Sequence, residues 1–320
     1  MIKKISTFLF SLLIFSCSSQ QSENNIYALL IANNDTLIEE SYFNGKTPTA
    51  LMDVQSITKS ILSLLVGIAI DKEYIANENV PILTYFPEES ELFTGKKKEI
   101  TIKHLLNHTA GLNWKGYLEH EDFLQSQDPV KYVLAKEIEN TPGEKYNYNS
   151  GGTHLLSVII SKVTGKTTLD FAKEVLFKPL QIDSLNWSKL NDGIYDGAGF
   201  GLSMNPKDLI KIGQLMLDNG NIGGNQIISQ NWIRKSFDVS EKKATNWGIR
   251  KSKHGYGWYS AVNDEREIFY SMGYGGQFIF IIPSTKKVIV CLHNADTSAG
   301  IQQQVDFLSG TLPELIGGLN

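Results

Sequence analysis

The sequence predicts an α+β fold: an antiparallel sheet built from both chain ends, flanked by helices, with a mostly helical region inserted between them. Three observations carry this reading. Apolar residues alternate near the start of the chain and form strand-like runs in its last quarter. Between those ends they recur at helical spacing. No internal repeat or low-complexity linker interrupts the chain after residue 25. One domain over residues 26–320, with a helical insert at about 72–185, accounts for the pattern.

The elements follow in order. Tyr27 to Ala32 is apolar, Asn33-Asn34-Asp35 supplies turn chemistry, and Thr36 to Phe43 returns, so 26–43 reads as a hairpin. Asp53 to Asp71 is a helical stretch, apolar nearly all round, which marks a buried helix. Within the insert, Thr101 caps a short helix through Leu106. Thr153 to Val163 is helical with Gly165 placed to end it, and Leu169 to Phe177 stops before Pro179. Asn205-Pro206 opens a helix through Leu217, with Pro in the first turn, and Ser229 caps another. Tyr256–Ala261, Glu267–Met272, Gln277–Ile282 and Lys287–His293 read as strands, and a last helix runs near Ile301–Phe307.

The first residues explain why the domain begins so late. Met-Ile-Lys-Lys precedes an 11-residue, mostly apolar stretch from Ile5 to Phe15. A basic start and a core of that length form a secretory signal, too short to span a bilayer. It ends in Ile14-Phe15-Ser16-Cys17, which is similar to the lipobox of bacterial lipoproteins. On that likeness residues 1–16 are a signal peptide and Cys17 is the lipidated first residue. Residues 17–25 then form a polar tether. The expected destination is a membrane-anchored exported lipoprotein, on the periplasmic or surface side of the outer membrane. Only Cys291 remains beyond Cys17, so no internal disulfide framework exists.

Composition narrows the function classes. Without the signal the chain carries 28 basic and 34 acidic residues. It has no basic patch beyond Lys96-Lys97-Lys98, so nucleic acid is not an expected partner. No apolar run after residue 16 reaches membrane-spanning length. The chain has no Gly-x-Ser-x-Gly elbow, and Gly165-Lys166-Thr167 lacks the first glycine of a P-loop. His104 and His108 share a zinc-helix spacing, but Leu105 stands where a general-base Glu belongs. His120, His154, His254 and His293 form no ligand set, so neither metal nor cofactor is expected.

Ser-x-x-Lys occurs three times, at Ser56–Lys59, Ser240–Lys243 and Ser284–Lys287. Chance alone supplies about two, so context must separate them. Ser56 opens the apolar helix, and Lys59 is the only charged residue between Asp53 and Asp71. Three residues apart is one helical face, so hydroxyl and amine can meet. Burial and the positive end of the helix dipole both disfavour an ammonium, which suits Lys59 to take a proton from Ser56. First-turn amides point outward and supply one oxyanion donor.

With these residues the sequence resembles the serine β-lactamase and penicillin-binding-protein family, in its class C-like branch. That branch also holds esterases, D-amino-peptide hydrolases and 6-aminohexanoate-dimer hydrolase. The carriers are Asp53-Val-Gln-Ser56-Ile-Thr-Lys59-Ser60, Ile102-Lys-His-Leu-Leu-Asn-His-Thr-Ala-Gly111-Leu112, Pro142-Gly143 ahead of Tyr146-Asn147-Tyr148-Asn149-Ser150-Gly151, and Gly273-Tyr274-Gly275-Gly276-Gln277. The resemblance implies a β-lactamase-like fold and an acyl-enzyme on Ser56, with Lys59 as its partner. Tyr148, not Tyr146, is the proton shuttle, its phenolate stabilised by Lys59. It further implies substrate contacts from Ser150, which replaces the family's Asn, and from Tyr274 and Gly275 near a second oxyanion donor. The family's Lys-Thr-Gly strand motif is missing, and Tyr270 to Gly276 contains no cation. The implied activity is a lipid-anchored serine hydrolase for small esters, amides or peptides. A β-lactamase, a D-amino-peptide hydrolase or a non-catalytic peptidoglycan binder of the same fold are the alternatives. The oligomeric state is not legible.

Overall fold

The structure is a computed structural model and describes residues 25–238, 248–249, 251–263 and 265–317. The signal, Cys17 and the tether up to residue 24 lie outside the described residues, as does the Ser240–Lys243 pair.

The chain opens with β1 (Ile26–Asn33) and β2 (Thr36–Tyr42), paired antiparallel across the predicted turn. Asn34 and Asp35 take positive φ there, a conformation these two residues tolerate better than most. Helix α1 (Ile57–Asp71) follows, then the short α2 (Ile102–Leu106) and the long α3 (Ser150–Thr164). Thr101 and His104 form the predicted cap of α2, and Gly165 ends α3 in the left-handed conformation. Helix α4 (Pro206–Leu217) carries Pro206 in its first turn and is capped by the Asn205 side chain, while Ser229 caps α5 (Gln230–Phe237). The last quarter gives β3 (Lys253–His254), β4 (Tyr259–Asn263), β5 (Arg266–Gly273), β6 (Gln277–Ile282) and β7 (Lys287–His293), and α6 (Gly300–Asp306) closes the chain with further helical turns to Gly317.

The seven strands form one sheet in the order β2-β1-β7-β6-β5-β4-β3. The first hairpin joins the last strand through β1 and β7, antiparallel. This is the predicted sheet made by both chain ends, and the α+β class holds. Its two faces bury different residues, because strand side chains alternate. Ile279 and Ile281 of β6 face α1 and α4, whereas Phe278, Phe280 and Ile282 face Phe307, Leu312 and Ile316 of the terminal helices. Helix α1 is enclosed on all sides, between α3 and β5. Truncating one of its core leucines, such as Leu64→Ala, would cost about 2–5 kcal/mol.

One boundary differs from expectation and matters for the site. The helix starts at Ile57, four residues after Asp53. Met52–Asp53 is a short strand paired with Leu202–Met204, and Gln55 adopts φ +50°. That turn cannot be helical, so it sets Ser56 at a sharp corner between strand and helix.

Candidate active site

The corner is held by one carboxylate. Asp53 accepts the Gln55 backbone N–H at 2.8 Å and the Gln55 side-chain amide at 2.7 Å. Burial pushes the Asp53 carboxyl above its ordinary range, against those donors. The backbone then turns into the helix, with Ile57 N–H donating to Val54 O and Lys59 N–H to Ser56 O. Ser56 is the N-cap residue, half-buried and at the mouth of a cleft. Its own amide belongs to the first turn, where backbone donors have no helical acceptor.

Lys59 sits one turn in and is 3% exposed. Its Nζ donates to Ser56 Oγ at 2.9 Å and to the Ala198 carbonyl. The carbonyl comes from a loop that sequence reasoning missed. Asp196, fully buried, accepts from the Ala198 N–H at 2.6 Å and from the Phe200 N–H. His154 of α3 accepts the Gly197 N–H on Nδ1 at 3.2 Å, which leaves Nε2–H to donate to Asp192 at 2.7 Å. These bonds hold the loop against Ser56 and Lys59. Gly199 has φ +104°, and a Cβ there would lie 2.7 Å from Lys59 Nζ and 2.9 Å from Ser56 Oγ. Only a glycine fits. The sole sequence signal was the spacing of Gly197, Gly199 and Gly201.

Tyr148 lines the cleft, and Lys59 Nζ lies 5.0 Å from its ring centroid. The structure thus brings Ser56, Lys59 and Tyr148 together. Tyr146 instead sits half-buried behind them, edge-on to the His108 ring at 5.9 Å. His108 packs tilted against Tyr148 at 4.5 Å and accepts the Asn149 N–H at 3.3 Å, so it braces the residue after the tyrosine. His254 lies 4.8 Å behind His108. Burial, then the Lys59 charge, holds His254 down to about 3. Burial holds His108 well below its ordinary value too, with His254 and Lys59 adding to it. Both imidazoles are therefore neutral at physiological pH, and no second positive charge sits against Tyr148.

The cleft has a volume of about 480 Å³. Its far wall is the tip of the β5–β6 hairpin. A Cβ on Gly273 would meet Val54 O at 2.5 Å and Gln55 Cβ at 2.8 Å, so the missing side chain lets β5 reach the Ser56 corner. Tyr274 follows it into the cleft, stacked on Tyr117 at 6.3 Å. His120 and Phe200 line the wall between them, ring centroids 4.7 Å apart, and burial with the Lys59 charge holds His120 down to about 4.

Two further predicted contacts lie elsewhere. Ser150 is fully buried in the first turn of α3, outside the cleft lining, and its hydroxyl has no hydrogen-bond partner. Gly275 is a turn glycine at φ +79° whose carbonyl faces Gln303, also off the cleft wall. Among the described residues no Lys or Arg lines the cleft, whereas Asp53 and Asp296 do. Arg266 is engaged at the other end of β5, on the Ile316 carbonyl at 2.7 Å. Arg250 lies outside the described residues.

Comparison with known proteins bears on family and fold. The Beta-lactamase family model matches residues 20–307. The chain is 23% identical over 287 residues to 6-aminohexanoate-dimer hydrolase of Paenarthrobacter ureafaciens, covering 83% of this chain and 71% of that protein. Solved structures share the fold. A D-stereospecific amidohydrolase from Streptomyces sp. superposes with a TM-score of 0.68 at 17% identity, over 89% of this chain and 93% of that one. A class C beta lactamase from Rhodobacter sphaeroides gives 0.68 at 14% identity, over 93% and 97%.

Proposed function

The chain belongs to the Beta-lactamase family and is a serine hydrolase, and on that premise we propose that it cleaves small esters, short amides or peptides through an acyl-enzyme on Ser56. The observation that carries this is the 2.9 Å contact between Lys59 Nζ and Ser56 Oγ, with Tyr148 against the same Nζ and the cleft in front. We assign the exported, Cys17-anchored form to the same protein, on the basic start, apolar core and Ser16-Cys17 junction.

In the proposed cycle the Lys59–Tyr148 pair starts one proton short of ammonium plus phenol, so Ser56 Oγ attacks the substrate carbonyl and passes its proton to the pair. The oxyanion is met by the Ser56 N–H and by the backbone N–H of Tyr274, brought to the corner by Gly273. Collapse expels an alcohol or amine, which takes the proton from Tyr148. The ester left on Ser56 is then cleaved by water, which gives its proton to the same pair and releases Ser56. Lys59 stays close enough to offset negative charge developing on the phenol oxygen.

A fluorophosphonate probe tests the assignment. The wild type should label at Ser56, and Ser56→Ala should not. A folded wild type that neither labels nor hydrolyses p-nitrophenyl esters would leave the non-catalytic binder standing instead.

A further inference from the structure

Exposed apolar side chains flank the cleft on two sides, with Tyr274 between them. Leu118 and Tyr117 are 83% and 73% exposed, on the turn that overhangs the mouth. Tyr117 stacks on Tyr274, and the Tyr274 ring abuts Gly300, where a Cβ would lie 2.7 Å from it. Gly300 opens α6, whose Ile301 and Val305 are 46% and 43% exposed one turn apart. From Thr297 to Val305 the sequence carries no charged residue. A row of exposed apolar side chains around an active-site mouth is not a requirement of the fold, and it needs an occupant.

The chain itself says which. Asn25, the first described residue, donates through Nδ2 to Gln303 of α6 at 3.0 Å, and its carbonyl accepts the Asn294 N–H at 2.8 Å. Asn294, Ile301 and Gln304 line the cleft. The N-terminal segment therefore leaves the domain beside the mouth. From Cys17 to Asn25 is eight residues, which span at most roughly 26–29 Å even when fully extended.

We infer that the rim formed by Tyr117, Leu118, Ile301 and Val305 rests on the lipid bilayer to which Cys17 tethers the protein, so that the catalytic cleft opens toward the membrane interface. This depends on the lipid anchor proposed above. Diacyl or triacyl anchoring supplies the affinity, and the rim sets the orientation. Exposed Leu, Ile and Val enter the interface, and Tyr favours the headgroup level. The rim has no basic cluster, so the orientation should hold in zwitterionic lipid and at high salt.

The experiment uses the full-length lipoprotein reconstituted in phosphatidylcholine vesicles. Cys291 is buried, so an environment-sensitive fluorophore can be placed through L118C, V305C or N225C. Asn225 is exposed on a hairpin just beyond the C-terminal end of α4. On vesicles, probes at Leu118 and Val305 should shift to the blue and lose iodide quenching by about tenfold, and the probe at Asn225 should do neither. In parallel, Val305→Asp should restore quenching at the Leu118 probe while turnover of soluble p-nitrophenyl acetate stays unchanged. A Leu118 probe that remains in water on anchored protein would overturn the inference. So would a blue shift without vesicles that grows with protein concentration, which would put a second copy on the rim. Mass spectrometry of Cys17 separates the two layers: a bare cysteine sinks the anchor and the orientation together, whereas an acylated Cys17 with wet probes sinks the orientation alone.

Discussion

The proposed reaction rests on three side chains and a 2.9 Å contact, so the sharpest tests are single substitutions. Ser56→Ala removes the nucleophile and should lower kcat by several orders of magnitude, with stability changed by about 1 kcal/mol or less. Wild-type turnover in that variant would refute the acyl-enzyme. Lys59→Ala and Tyr148→Phe remove partners in one proton path. Each alone should be severe, and the double variant should be little worse than the worse single one. A double-mutant cycle on p-nitrophenyl butyrate checks this, and additive losses would assign the two residues separate jobs. Lys59→Ala also leaves the Ala198 carbonyl without its donor, so thermal melts must accompany the kinetics.

At the scale of elements, the 192–201 loop is as necessary as the helix it covers. Gly199→Ala would force a Cβ into both Lys59 Nζ and Ser56 Oγ at a backbone angle that L-residues avoid. The loop would have to lift, taking the Ala198 carbonyl away from Lys59. We expect kcat/KM to fall by about 100-fold or more, because displacements near 1 Å are that costly, while the core still melts cooperatively. Near-normal kinetics in Gly199→Ala would show that the loop moves freely. This loop also marks the limit of sequence reading. Helix α1 was legible because an apolar run of its length must be enclosed by the fold, and a single lysine inside it stands out. Its start was misplaced because a positive φ at Gln55, held by Asp53, leaves no trace in hydrophobic periodicity. The loop is barely legible because it acts through a backbone carbonyl and a missing side chain, which leave only the spacing of its glycines as a trace. Ser150 is placed by motif offset, which gives a position along the chain but not the direction a side chain faces, and Gly275 by the glycine-rich edge, which does not say which turn glycine lines the cleft.

For the whole molecule, burial of neutral imidazoles makes stability depend on pH. His108 and His254, both nearly inaccessible, lie below the value near 6.5 of the unfolded chain, His254 at about 3. As pH falls the unfolded state takes up these protons first. Stability is full above about 6.5, and each histidine then removes about 1.4 kcal/mol per pH unit toward its folded value. Asp53 and Asp196, pushed up by burial, act in the opposite sense, but from a starting value of 3.8. Urea midpoints at pH 7.5, 6 and 5 should therefore decline steadily, and a flat profile would mean the imidazoles are hydrated. The same electrostatics decides the substrate. A β-lactam brings a carboxylate to the cleft, where no described Lys or Arg lines the wall and Asp53 and Asp296 repel it. A missing charge-assisted hydrogen bond is worth about 1.5–3 kcal/mol, or roughly tenfold to hundredfold in kcat/KM. Tyr117, Phe200 and Tyr274 instead offer ring faces to an apolar or aromatic acyl group. The expectation is that p-nitrophenyl butyrate outperforms nitrocefin, and that the margin persists in high salt because apolar contact supplies much of it. If nitrocefin is the better substrate, a cation reaches the cleft from outside the described residues. Replacing Arg250 by alanine would then show whether it is that one.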